Sequence, residues 1–154
     1  MKHICILGKL QTKFLAPFDS DAEIWSMNLH DDEFLLPRVN KWFDLHHRPQ
    51  KDSADYKLDN FPFEACHELV HGRRFCTTTA YLIAFAVLQG ATKISIYGVR
   101  FTPDGNTRRE RELQNVREML FFCLGKGIDL EICEDDVNYL FPEHTPLDGE
   151  DFDQ

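Results

Sequence analysis

Short apolar runs that stop at a glycine or a polar residue recur along this chain. "HICILG" (3–8) is β-rich and ends at Gly8, the pattern of a strand buried on both faces. "AEIWSMN" (22–28), "KWFDLH" (41–46), "KISIYG" (93–98) and "IDLEIC" (128–133) read the same way. Other stretches carry helical signals. "FPFEACHELVHG" predicts a short helix opened by Pro62 and stopped by Gly72. "TTTAYLIAFAVLQGA" is apolar almost all round, with threonines at its start and Gly90 at its end, and predicts a buried helix. "TRRERELQNVREMLFFCLGKG" is amphipathic, with Leu113, Val116, Leu120 and Leu124 on one face. "DDVNYLF" adds a final helical turn, and the polar residues 47–60 predict the longest loop.

Strands that alternate with helices through short turns imply an open, mostly parallel α/β sheet. Ligands of such sheets bind beyond the carboxyl ends of the strands. That rule nominates Gly8 with Lys9, Asn28, His46 and the segment Gly98 to Arg100, together with the helix start at Thr77, Thr78 and Thr79.

A length of 154 residues suits one domain with one core, and 43% hydrophobic residues suits an ordinary globule. The net charge of −9 argues against a nucleic-acid coat. No Lys or Arg follows Lys126, so the acid is concentrated in the last stretch. Residues 1–142 are therefore read as the domain and 143–154 as a solvated acidic tail. The body without that tail is near neutral, which leaves room for a local basic pocket. Five cysteines with no CxxC pair, mostly in apolar runs, point to reduced core residues and a cytoplasmic setting. The N-terminal apolar run is too short for a signal peptide, and no stretch is long enough to span a membrane.

"CHELVHG" (66–72) contains His-Glu-x-x-His, in which His67 and His71 could grip Zn²⁺ while Glu68 activates a water. A hydrolytic site needs a third protein ligand. The following "GRRFCTTT" lacks the Gly and His of the extended pattern, and the next helix holds no acid. The plain reading is an exposed helix face, with no metal and no cofactor.

The threonine triplet offers hydroxyls and unpaired N–H groups at the positive end of a helix, which suits phosphate or carboxylate. Arg100 leaves the end of a neighbouring strand and could fork onto a phosphate. Arg108, Arg109 and Arg111 crowd a helix start, against its dipole, and pairing with Glu110, Glu112 and the tail is the plain account. Asn28 can read a base or ribose edge, and His46 can serve as base or donor. Trp25 and Trp42 are assigned to the core. The loop "GKLQT" lacks the further glycines of a dinucleotide fingerprint and is no P-loop.

The order "ILG…LAPFD…EIWSMN…RVNKWFDLH…FPFE…RFCTTTAYLIAFAVLQGATKISIYGVRF…GKGIDLEI" resembles a family of small Rossmann-like proteins common in bacteriophage genomes, over roughly residues 3 to 141. More distantly, "TTTAYLIAFAVLQGATKISIYGVRF" is similar to bacterial sialyltransferases. That resemblance implies that Thr77, Thr78 and Thr79 meet phosphate or ribose, that Asn28 contacts the nucleotide, and that Gly98, Val99, Arg100 and Phe101 form a strand-end motif. Arg100 stands where the relatives carry Asp, and "GKLQT" replaces their small-residue loop. An Arg for an acid turns a hydroxyl-binding position into an anion-binding one.

The resulting expectation is a single-domain Rossmann-like fold that binds a nucleotide or nucleotide-derived small molecule, used in a phage to sequester a host signalling nucleotide. The rival classes are a nucleotide-sugar transferase or nucleotide hydrolase with His46 or His144 as base, a zinc protein, and an interaction protein whose tail meets a basic partner. The expected partners are the nucleotide-like ligand and a second copy in a homo-oligomer, with no nucleic acid and no membrane.

Overall fold

The structure, a computed structural model, describes residues 1–99 and 107–133. Six strands form one sheet: β1 (His3–Leu7), β2 (Glu23–Met27), β3 (Lys41–Asp44), β4 (Tyr56–Lys57), β5 (Lys93–Tyr97) and β6 (Asp129–Ile132). Every pairing is parallel, in the order β4-β3-β2-β1-β5-β6. The helices are α1 (Phe63–Leu69), α2 (Thr78–Leu88) and α3 (Thr107–Gly125). This is the single-domain, Rossmann-like α/β architecture that the alternating pattern implies. The chain builds outward from β1 to β4, then returns to lay β5 on the other side of β1. The order thus reverses between β1 and β5, where ligands of open α/β sheets bind.

The two faces of the sheet are covered differently. On one face Ile4, Ile6, Trp25, Met27, Phe43, Ile94 and Ile96 pack with the helices. Helix α2 is buried nearly all round, from Ala80 through Leu82, Ile83, Ala84, Phe85 and Ala86, because α1 and α3 flank it over the sheet. Its apolar surround is the physical counterpart of its missing polar face. On the other face Cys5, Leu7 and Ile24 meet Ala16, Ala22 and Leu36 from the connections, which carry short 3-10 turns at Gln11–Leu15 and Glu33–Leu35. Trp25 is fully buried, and half-buried Trp42 packs on this second cluster.

Two expectations need correction. Residues 47–60 are not all loop, since Tyr56 and Lys57 form β4. A two-residue strand leaves no period to read. Tyr56 is drawn onto the sheet because its ring stacks on Phe43 at 4.9 Å and meets Phe85 at 5.1 Å. Leu124 does not share the buried face of α3. Cys123 takes that place beside Leu113, Val116, Met119 and Leu120, and Leu124 is exposed at the rim of the last turn. The stretch "DDVNYLF" and the acidic tail lie outside the described residues. Cys5, Cys66, Cys123 and Cys133 are buried thiols, while Cys76 is exposed. Burial pushes the Cys66 thiol up to about 11 and keeps it in its inert protonated form. Among the described residues no helix is long and apolar enough to cross a membrane.

Candidate functional site

Two glycines bring the ends of β1 and β5 together. A Cβ on Gly8 would collide with the carbonyl of Gly98 and stand 2.9 Å from the Cα of Val99. Gly98 has φ +74 and would drive a Cβ to 2.9 Å from the Leu10 carbonyl. The two backbones are laced together there: Gly8 N–H donates to the Tyr97 carbonyl at 2.8 Å and Leu10 N–H to the Gly98 carbonyl at 2.9 Å.

Beside this seam opens a cleft of about 380 Å³. Its walls include Gly8, Lys9, Asn28, His30, Thr77, Thr79, Gly98 and the first turns of α3 from Arg108 to Val116. The structure therefore brings together Gly8, Asn28, Thr77, Thr79 and Gly98 of the residues nominated from sequence. Thr78 is in the first turn of α2 but does not line the cleft, because successive helical residues point 100° apart. Arg100 lies outside the described residues, as do Phe101 and His144.

His46 does not line the cleft either. Its Nδ1 sits 2.6 Å from Oδ1 of fully buried Asp44, whose other oxygen accepts the N–H groups of Gln50 and Lys51 at 2.8 and 3.0 Å. Burial alone would raise the Asp44 carboxyl. The hydrogen bonds from His46 and from those two N–H groups outweigh it and hold the group below its usual range. His46 thus belongs to the closure of the turn after β3.

The polar groups of the cleft are arranged otherwise. Asn28 directly follows β2 with φ 63, a left-handed conformation that asparagine tolerates better than most residues. Its N–H is tied to the Phe43 carbonyl at 2.7 Å, while its side-chain Oδ1 is buried with no partner among the described residues. His30, two residues on, is only 6% exposed, and its Nε2 is likewise buried with no partner among the described residues. Desolvation lowers the His30 pKa, and Lys13 lowers it further, against the opposite pull of Asp32 and Glu33. The ring is consequently neutral at pH 7 and can accept or donate through Nε2. Lys13 is itself fully buried, bonded to Asp32 and to the Lys9 carbonyl.

Thr77 is the residue before the first turn of α2, and its hydroxyl makes no capping bond. Thr79 is buried and turns its hydroxyl toward the Met27 sulfur at 3.7 Å. The N-terminus of an 11-residue helix thus faces the cleft with no side-chain cap on its N–H groups. Among the described residues, Lys9, Arg108, Arg109 and the carboxylate of Glu112 stand around the rim, and Arg108 is bonded to Glu112 at 3.3 Å. An orphaned amide oxygen, a neutral imidazole, an open helix start and a basic rim together suit a small anionic ligand with polar ring edges. The residue that sequence reasoning missed is His30, whose only signal was its place two residues beyond Asn28.

The His-Glu-x-x-His stretch is not laid along one helix. Helix α1 ends at Leu69, so His71 lies beyond it at φ 58 rather than one turn along from His67. No cluster of potential metal ligands occurs among the described residues. The exposed-face reading also fails for His67. It is buried, and its Nε2 lies 2.8 Å from the Tyr81 hydroxyl, which also accepts the N–H of Phe75 at 3.3 Å. His67 and Tyr81 thereby fasten the connection that leads into Thr77.

No family model matches this sequence, and no curated protein matches it. Two solved structures share its fold. One is the sialyltransferase CstII from Campylobacter jejuni in complex with the substrate analogue CMP-3FNeuAc, at 14% identity and a TM-score of 0.50 over 95% of this chain and 86% of that one. The other is the sialyltransferase CST-II with a trisaccharide acceptor and CMP, at 13% identity and a TM-score of 0.51 over 94% and 86%. At this identity the likeness is one of fold.

Proposed function

We propose that the cleft at the β1–β5 seam binds a nucleotide or nucleotide-derived small molecule. The observation that carries this reading is the Asn28 Oδ1, buried without a partner beside the uncapped start of α2. A buried carbonyl oxygen left unpaired costs about 1–3 kcal/mol, a cost that a ligand N–H or hydroxyl would remove. The phosphate is assigned to the helix start and the cations Lys9, Arg108 and Arg109. The base or ribose edge is assigned to Asn28. Arg100 directly follows Val99, a cleft residue, and is proposed as a further phosphate contact. The two fold neighbours, whose structures hold CMP or a CMP conjugate, support the class of ligand.

Binding is favoured over turnover. Of the two nominated bases, His46 is outside the cleft and engaged by Asp44, and His144 lies outside the described residues. Within this reading the ligand is a signalling nucleotide held by a phage protein, an assignment supported by the resemblance of the whole chain order to small phage proteins.

The test is direct. Purified protein is heated, the released small molecules are identified by mass spectrometry, and the emptied protein is titrated calorimetrically with the four nucleoside diphosphates. The expected result is a released nucleotide, or a diphosphate bound with Kd below about 1 mM. No release and no binding by any of the four would overturn the reading.

A further inference from the structure

The connections over the second face of the sheet present apolar side chains to solvent. Phe34 is 78% exposed and Leu35 is 58% exposed on the 3-10 turn Glu33–Leu35. Phe34 also edges a recess of about 380 Å³, whose walls include exposed Lys9, Leu29 and Asp31 and buried His30. We propose that this surface is an interface between two copies of the chain, in which each copy sets its Phe34 into the recess of the other about a twofold axis. The inference stands apart from the nucleotide reading.

Three observations carry it. First, the aromatic ring is presented by a braced turn. Asp32 accepts from the buried Lys13 ammonium and from Gln11 at 3.2 Å. Glu33 accepts from Lys51 at 3.0 Å, and the same ammonium lies 4.3 Å from the centre of the Trp42 ring. These bonds commit the polar groups of the turn to the fold and leave Phe34 and Leu35 exposed. Apolar groups held rigid in water lose little freedom on docking, which is what an interface anchor needs. Second, the charge here departs from that of the chain. Lys9, Lys13 and Lys51 balance Asp31, Asp32 and Glu33, whereas the whole chain carries −9. A balanced patch selects neither a polyanion nor a strongly basic partner. Third, the patch complements itself. It bears a projecting aromatic ring beside a recess with room for one, and an exposed cation and an exposed carboxylate, Lys9 and Asp31, on that recess. A twofold axis makes each complementary contact twice, Phe34 with the recess and Lys9 with the partner's Asp31. A lysine ammonium has three donors, so Lys9 can meet that carboxylate and still border the nucleotide cleft.

The test is the mass of the full chain in solution, measured by sedimentation velocity up to about 100 μM so that any micromolar Kd is seen. The expected species is a dimer, twice the 18.0 kDa of one chain. Phe34→Ala removes the anchor from an exposed position and is expected to raise the dimer Kd roughly tenfold or more. Lys9→Asp and Asp31→Lys each set like charges against one another at both contacts, and each alone should be monomeric. Mixed in equal amounts, these two variants should form a heterodimer, because each then meets its complement at both contacts. A far-UV circular dichroism spectrum matching that of the parent separates loss of the dimer from loss of the fold. A parent that stays monomeric to about 100 μM overturns the inference. So does a dimer that survives Phe34→Ala unweakened, or a mixture of the two charge variants that stays monomeric.

Discussion

Neighbouring parallel strands β2 and β3 each run out into a polar residue, Asn28 after one and His46 two residues past the other. Both positions lie where ligands of such sheets are bound, and nothing in their local sequence separates them. Their surroundings do. The His46 ring is spent on Asp44, which in turn holds the N–H groups of Gln50 and Lys51, so that turn satisfies itself. The Asn28 side chain, facing a cleft, is left with a buried oxygen that has no partner among the described residues. A strand end nominates a residue, and hydrogen-bond satisfaction decides whether it serves the fold or a ligand.

The contrast can be broken most severely at the seam that supports the Asn28 side of the site. Gly8→Ala sets a methyl against the Gly98 backbone, where neither chain can rotate away. We expect a loss of roughly 3 kcal/mol, near the upper end for overpacking, seen as a lower urea midpoint at unchanged slope. A loss below 0.5 kcal/mol, within the ordinary range for surface changes, would show that the seam yields.

The satisfied end is tested through pH. The Asp44 carboxyl has a lowered pKa in the folded protein, so its stabilising contribution is complete above its unfolded value of about 3.9 and is lost as pH falls through the lower folded value. Asp44→Asn keeps an acceptor but removes the titration. Its urea midpoint should fall less steeply than that of the parent below pH 4, while nucleotide affinity at pH 7 is unchanged. Parallel acid limbs would remove Asp44 from the account.

The unsatisfied end should respond in the opposite sense. Asn28→Gly accepts the positive φ and deletes the orphaned oxygen. Stability is expected to stay within about 1 kcal/mol, and nucleotide affinity to fall about tenfold, the worth of one hydrogen bond. Unfolding with intact affinity would reverse the assignment. Smallest of all is Thr78→Val, at the helix start but off the cleft wall, where titration should give the parent affinity within twofold. A clear loss there would return Thr78 to the site.

Much of this was written in local sequence. Five strands and three helices follow from apolar runs, glycine stops and a threonine start, because burial on both faces demands continuous apolar residues and the ends demand special backbone. The crevice rule then nominated Gly8, Asn28, Thr77, Thr79 and Gly98 without any distance being known. Strand β4 escaped because two residues have no period, and Leu124 was misplaced because the buried arc of α3 is centred nearer Val116 and Leu120.

Sequence alone determined the architecture and the end of the sheet at which the cleft opens, since both depend on periodicity and on chain termination within each element. Tertiary structure decided which polar groups there remain available. Whether Thr78 or Thr79 faces the cleft depends on the rotation of α2 against Met27. Whether His46 or His30 is spare depends on Asp44, Lys13 and Asp32 reaching across separate connections. Those pairings join residues distant along the chain or fix how a turn folds over the sheet. Hydrogen-bond satisfaction is a property of neighbours in space, so no period or motif along the chain records it.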